Sequence, residues 1–225
     1  LDPALCGRIR ASILLAAPLL ARCGEVSLPP PGGDVIGRRR VDTHFLALGE
    51  LGASYELGPQ FILRAAALRG ADIFLDEPSV TGTENALCAA VAAVGTSVLR
   101  NAACEPHVQD LAHMLNAMGA RISGIGTNLL TIEGVPSLHG TTHTVCHDHV
   151  EAASYLALAA ATGGEIRVEG TDLHAYWMTR RVFGTLGVKI ELHKDHVYLP
   201  GNQEMRVTRD HDGSIPVIGD GPWPQ

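Results

Sequence analysis

Two hydrophobic patterns alternate along the 225-residue chain. Three Ala/Leu-rich runs, ASILLAAPLLA (11–21), ENALCAAVAAV (84–94) and EAASYLALAAA (151–161), have the length and composition of helices without a polar face. Each is followed, after a glycine, by a short strand pattern: GEVSLP (Gly24–Pro29), GTSVLRN (Gly95–Asn101) and GEIRVEG (Gly164–Gly170). A second helix-like stretch then leads into LGASYEL (Leu51–Leu57), MGARISG (Met118–Gly124) and LGVKIEL (Leu186–Leu192), whose glycines Gly52, Gly119 and Gly187 stand 67 and 68 residues apart. This spacing predicts a repeated unit of helix, strand, helix, strand, strand, with a strand such as ADIFLD (Ala71–Asp76) leading in. A helix apolar all round is buried or spans a membrane, and these fall short of the ~20 residues a bilayer needs. They are expected to pack against one another inside, with the sheets outside.

Composition narrows the class. Hydrophobic residues make up 46% and aromatics only 4%, so the apolar mass is Ala, Leu, Val and Ile. Lys+Arg 17 against Asp+Glu 24 gives a net charge of −7, which argues against a nucleic-acid-coating protein. No signal peptide is legible in LDPALCGRIR. Five cysteines (Cys6, Cys23, Cys88, Cys104, Cys146) without a CxxC suit reduced cytoplasmic thiols.

One repeat departs from the others. From the glycine before the strand to the LG(A/V) glycine is 28 residues in the first unit, 24 in the second and 23 in the third. The excess falls in PPPGGDVIGRRRVD (Pro29–Asp42), which combines a Gly-Gly pivot, Asp34 and the arginines Arg38, Arg39 and Arg40. Arginine offers a planar fork of donors to phosphate or carboxylate. An acid beside such donors in a long loop points to chemistry on an anionic substrate.

PGGDVIGRRRVDTH resembles the active-site loop of the UDP-N-acetylglucosamine enolpyruvyl transferase (1-carboxyvinyltransferase) family, in which PGG-C-x-IG-x-RPVD-x-H is usual. RIRASILLAAPLLA, DEPSVTGTENALCAA, NAACEPHVQDLAHMLNAMGA and HDHVEAASYLALAAA follow in family order and spacing, so the resemblance covers almost the whole chain. It implies an inside-out α/β barrel of six such units in two domains, of which about three are present: 1–146 as part of the loop-bearing domain and 147–225 as the start of its partner. It also implies transfer of the enolpyruvyl group of phosphoenolpyruvate to the 3-hydroxyl of UDP-N-acetylglucosamine, with release of phosphate. That reaction is the committed step of peptidoglycan precursor synthesis in the cytoplasm. No metal or organic cofactor is implied, and no nucleic-acid or membrane partner.

The resemblance assigns roles by position. Asp34 stands where most relatives carry the cysteine acid. Loop closure and a neighbouring substrate dianion are expected to favour its protonated form. Lacking a thiolate, the site should resist fosfomycin. Arg39 matches the loop arginine facing the substrate phosphate, and Arg39, Arg40, Val41, Asp42 and Thr43 match the stretch lining the UDP-sugar. Arg40 replaces a usual proline. Arg10 matches another substrate-binding arginine. Glu77, Pro78, Ser79 and Val80 match the uridine-nucleotide stretch, with Ser79 the direct hydrogen-bonding candidate. Glu105 and Asp148 align with family acids near the cleft, although buried structural carboxylates would look the same.

Cys104, His107 and His149 depart from charges usual in the family. They favour the alternative of a non-catalytic nucleotide-sugar-binding paralogue. The other rival is the shikimate-pathway enolpyruvyl transferase, which shares repeat and phosphoenolpyruvate but is not expected to contain this loop. His139, His143, Cys146, His147, Asp148 and His149 match no zinc-finger spacing and read as a linker. The Lys-Asn pair expected before Leu1 and the aspartate base expected after PWP lie outside the chain, which opens on Leu rather than Met. It is therefore expected to be a fragment that is inactive alone.

Overall fold

The computed structural model describes residues 1–34 and 40–219. They form two compact units, Leu1–Thr144 and Val145–Gln225. The first contains helices α1 (Pro3–Cys6), α2 (Ala16–Cys23), α3 (Asp42–Glu50), α4 (Val80–Val91) and α5 (Pro106–Ala117). Its strands are β1 (Glu25–Leu28), β2 (Ser54–Leu57), β3 (Phe61–Arg64), β4 (Asp72–Phe74), β5 (Thr96–Arg100), β6 (Arg121–Ser123) and β7 (Leu129–Glu133). The second contains α6 (His149–Thr162), α7 (Trp177–Thr185), β8 (Ile166–Glu169), β9 (Glu191–Leu192) and β10 (His196–Leu199).

The predicted repeat is present three times: α2-β1-α3-β2-β3, α4-β5-α5-β6-β7 and α6-β8-α7-β9-β10. In each sheet the last strand lies between the other two and is antiparallel to both, giving orders β1-β3-β2, β5-β7-β6 and β8-β10-β9. β4 joins the second sheet parallel to β5.

Backbone geometry accounts for the recurring glycine. Gly52, Gly119 and Gly187 have φ of 97°, 99° and 80°, a left-handed region open to glycine at no steric cost. In each case the next residue donates its N–H to a carbonyl five residues back, Ala53 to Leu48, Ala120 to Leu115 and Val188 to Phe183, at 2.9–3.0 Å. This is the Schellman closure of a helix, which also buries the residue after the glycine. Ala53, Ala120 and Val188 are all buried.

Alternation on the strands turns Val26, Leu28, Leu63, Ile73, Leu99, Ile122, Leu130 and Ile132 inward onto the helices. Arg64 with Glu25 and Glu56, Arg100 with Asp72, and Arg121 with Glu133 pair on the outer faces. Helix α4 packs against α2, α3 and α5.

Two details differ from the sequence expectation, and a third, the exposed face of α6, follows from a chain that holds about three of six units. The run ASILLAAPLLA is a 3₁₀ helix (Arg10–Leu15) that becomes α-helical only at Ala16, because Pro18 has no N–H for the Leu14 carbonyl. Helix α4 does have polar residues in its first turns, but Thr83 and Asn85 are buried and hydrogen-bonded. Helix α6 is apolar yet buries only Leu156, while Val150, Tyr155 and Leu158 remain exposed. A single three-stranded sheet covers one side of a helix, and the second unit holds one repeat.

Candidate functional site

The candidate site is built where two segments 33 residues apart in sequence meet. One is the end of the long loop running into α3, and the other is the turn from β4 into α4. Thr43, fully buried in the first turn of α3, donates its hydroxyl to Asp76 Oδ1 at 2.8 Å and lies 3.3 Å from Glu77 Oε1. The Arg40 guanidinium holds the same turn from outside. Its Nε is 2.9 Å from both Asp42 carboxylate oxygens, it also bonds Asp76, and Nη1 stands 3.7 Å from Glu77. The Thr43 hydroxyl, then Arg40, hold the Asp76 carboxyl below the usual carboxylate range. On the other side, the Arg10 guanidinium donates to the Arg40 carbonyl, tying the 3₁₀ helix to the same point.

Helix α4 opens on a capped turn. Ser79 is its N-cap, with Oγ accepting the Gly82 N–H at 3.2 Å. Because the cap uses an oxygen lone pair, the Ser79 hydroxyl hydrogen remains a donor. A Cβ on Gly82 would lie 3.0 Å from the Ser79 side chain and 3.1 Å from Thr43 Cγ2. The glycine therefore lets the first turns of α3 and α4 approach each other.

Beneath this surface lies a polar network absent from the sequence reading. His44 is fully buried, with Nδ1 2.8 Å from Asn85 Nδ2 and Nε2 3.1 Å from Thr81 Oγ1. Asn85 also donates to the Ile13 carbonyl at 2.9 Å and accepts the Ala17 N–H at 3.1 Å. One amide thus joins the 3₁₀ helix, α2, α3 and α4. Burial, then the nearby Arg10 charge, holds the His44 imidazole down at about 4. Further along α4, burial and then the charge of Glu105 push the Glu84 carboxyl up to about 7.

The structure thus brings together Arg10, Arg40, Val41, Asp42, Thr43, Glu77, Pro78, Ser79 and Val80. Asp34 is exposed at the near end of the loop. Arg39, and the loop between Asp34 and Arg40, lie outside the described residues. Glu105 is the N-cap residue of α5, with its Oε2 buried and unpartnered among the described residues. Asp148 belongs to the other unit, where it caps α6 by accepting the Val150 and Glu151 N–H groups at 2.9 Å. Burial pushes the Cys88 thiol up to about 11 and the Cys104 thiol upward, as for inert core cysteines. Among the described residues no group of three His, Cys, Asp or Glu side chains could hold a metal ion, and no helix is long and apolar enough to cross a membrane. Asp76, His44, Thr81, Glu84 and Asn85 were missed. The visible signals were Asn85, a polar residue within an apolar run, and His44, which matches the last position of the PGGDVIGRRRVDTH motif.

A family model described as EPSP synthase (3-phosphoshikimate 1-carboxyvinyltransferase) matches residues 2–211. The UDP-N-acetylglucosamine 1-carboxyvinyltransferase of Bradyrhizobium diazoefficiens is 54% identical over 224 residues, 100% of this chain and 52% of that protein. The protein of that name from Treponema denticola is 54% identical over 98% of this chain and 52% of its own length. The chain thus spans about half the length of the curated relatives it matches. The enolpyruvyl transferase NikO from Streptomyces tendae shares the fold, with a TM-score of 0.75 at 23% identity over 88% of this chain and 48% of that one. The chain belongs to the EPSP synthase (3-phosphoshikimate 1-carboxyvinyltransferase) family, and within it resembles the UDP-N-acetylglucosamine 1-carboxyvinyltransferases.

Proposed function

We propose that this chain supplies the loop acid and part of the nucleotide-sugar wall of an enzyme that transfers the enolpyruvyl group of phosphoenolpyruvate to the 3-hydroxyl of UDP-N-acetylglucosamine. The Thr43–Asp76 hydrogen bond carries this reading. With the 3.3 Å Thr43–Glu77 contact beside it, it ties residues 40–43 to 77–80, parts of two stretches that the family resemblance assigns separately to one ligand. Arg10 and Arg39 are the cations for the anionic substrates. Arg40, already engaged by Asp42 and Asp76, acts by holding the wall together.

In this reaction the Asp34 carboxyl gives its proton to the methylene carbon of phosphoenolpyruvate. The adjacent carbon becomes electron-deficient and bonds the sugar 3-oxygen, whose proton leaves to a base. Loss of a methyl proton back to Asp34 and cleavage of the carbon–oxygen bond to phosphate then restore the double bond. No metal or organic cofactor is required. Glu105 and Asp148 are the further acids to examine. Residues 1–146 and 147–225 belong, on this reading, to two domains of a cytoplasmic enzyme of peptidoglycan synthesis.

Phosphate release by the full-length protein tests the proposal. Release with UDP-N-acetylglucosamine and phosphoenolpyruvate supports it. Release with shikimate 3-phosphate alone supports the shikimate-type reading, and nucleotide-sugar binding without release supports a binding paralogue.

A further inference from the structure

The buried network under the site has a fixed polarity. The Ala17 N–H must meet the Asn85 carbonyl oxygen, so the Asn85 amide nitrogen faces both the Ile13 carbonyl and His44. His44 Nδ1 is then an acceptor, and the neutral ring carries its hydrogen on Nε2. That N–H points at Thr81 Oγ1, which must accept it. Among the described residues the Thr81 hydroxyl hydrogen has no acceptor of its own. Thr81 is half-buried in the first turn of α4, directly after Ser79 and Val80, where α3 and α4 are in contact through Gly82 and Thr43.

We propose that His44 is a positioning residue of the nucleotide-sugar site: by donating to Thr81 it makes the Thr81 hydroxyl an obligate donor toward an acceptor oxygen of the ligand. Thr81 and Ser79 then present two hydroxyl hydrogens from one helix turn, an arrangement suited to a phosphoryl oxygen rather than to a ligand N–H. The reversed neutral tautomer, with its hydrogen on Nδ1, would accept the Thr81 hydroxyl hydrogen at Nε2 and turn the Thr81 lone pairs outward instead. The proposal rests on the nucleotide-sugar reading of this surface and adds residues that the resemblance did not assign.

The test is steady-state kinetics of the full-length protein, with each substrate varied in turn and the melting temperature of every variant recorded. Thr81→Val, close in shape, is expected to raise KM for UDP-N-acetylglucosamine roughly three- to tenfold, the worth of one neutral hydrogen bond. KM for phosphoenolpyruvate should not move, and Thr81→Ser should restore most of the loss. His44→Gln can reach the place of Nε2 and keep the donor to Thr81, so it is expected to retain a low nucleotide-sugar KM. His44→Asn keeps the link to Asn85 but not to Thr81 and should match Thr81→Val. Combining His44→Asn with Thr81→Val should add nothing further. Equal effects of Gln and Asn, full additivity, or a loss that follows melting temperature would overturn the proposal. If the wild type releases no phosphate with UDP-N-acetylglucosamine, the catalytic reading fails. The same variants are then compared by calorimetric binding of UDP-N-acetylglucosamine, where unchanged affinity in Thr81→Val, or no binding by the wild type, overturns the positioning role.

Discussion

Helices α4 and α6 occupy the same place in their repeats, and their sequences align as ENALCAAVAAV and EAASYLALAAA. Val91 of α4 is 1% exposed, whereas the aligned Leu158 of α6 is 58% exposed. The apolar content of the two runs is alike, so composition does not set their burial. The difference is in neighbours. Helix α4 lies among α2, α3 and α5 in a unit of two repeats, while the unit of α6 has one repeat and one sheet. An all-apolar helix in this fold therefore reports the number of repeats that are meant to surround it.

Substitution at the aligned pair should separate the two helices most strongly. Val91→Asp places a charge in the packed interior and is expected to cost about 4 kcal/mol or more. Leu158→Asp is expected to change stability by about 0.5 kcal/mol or less, read by urea unfolding. Equal costs would mean that α6 is as enclosed as α4.

The titration of the first unit sharpens the contrast. His44 is held down at about 4 in the folded state, so its contribution is present above about 6.5 and is lost as pH falls through about 4. It amounts to at most about 3 kcal/mol. Glu84 is pushed up to about 7, so its contribution has the opposite sign: it is present below about 4.5 and is lost as pH rises through about 7. The two oppose each other between pH 4.5 and 6.5. Glu84→Gln should leave stability falling toward acid, and His44→Asn should leave it falling toward neutrality. Slopes of the same sign in both variants would refute the assignment.

A smaller effect belongs to the surface. Tyr155→Glu combined with Leu158→Glu should reduce binding of an apolar dye such as ANS, because it interrupts the open face of α6. Dye binding that persists unchanged would place the exposed apolar surface elsewhere, for instance in the groove lined by Leu111, Met114, Val135 and Leu138.

Much of this was legible from the chain because it is local. The LG(A/V) signature records a Schellman closure completed within six residues, and the strand alternation records which side faces the helices. The 39–43 and 77–80 stretches were legible through family resemblance. The connections that organise the site were not. Thr43 meets Asp76 across 33 residues, His44 meets Asn85 across 41 and Ala17 meets Asn85 across 68. Such pairings arise from helix packing and leave no periodic trace. The exposure of α6 was legible only through the family resemblance, which implies about three units of six and hence apolar helices left uncovered. The apolar run by itself specifies a preference for neighbours without supplying them.

On the proposed function, the loop opening at Asp34 delivers the proton to a substrate held by the α3–α4 surface. Phosphate release from phosphoenolpyruvate and UDP-N-acetylglucosamine in the full-length protein, compared among Asp34, Asp34→Ala and Asp34→Cys, tests it most directly. The account predicts that alanine lowers kcat by roughly a hundredfold or more, while cysteine retains turnover and becomes subject to time-dependent inactivation by fosfomycin, to which the aspartate form is resistant. Undiminished turnover in Asp34→Ala, or fosfomycin attachment at Asp34 itself, would contradict it.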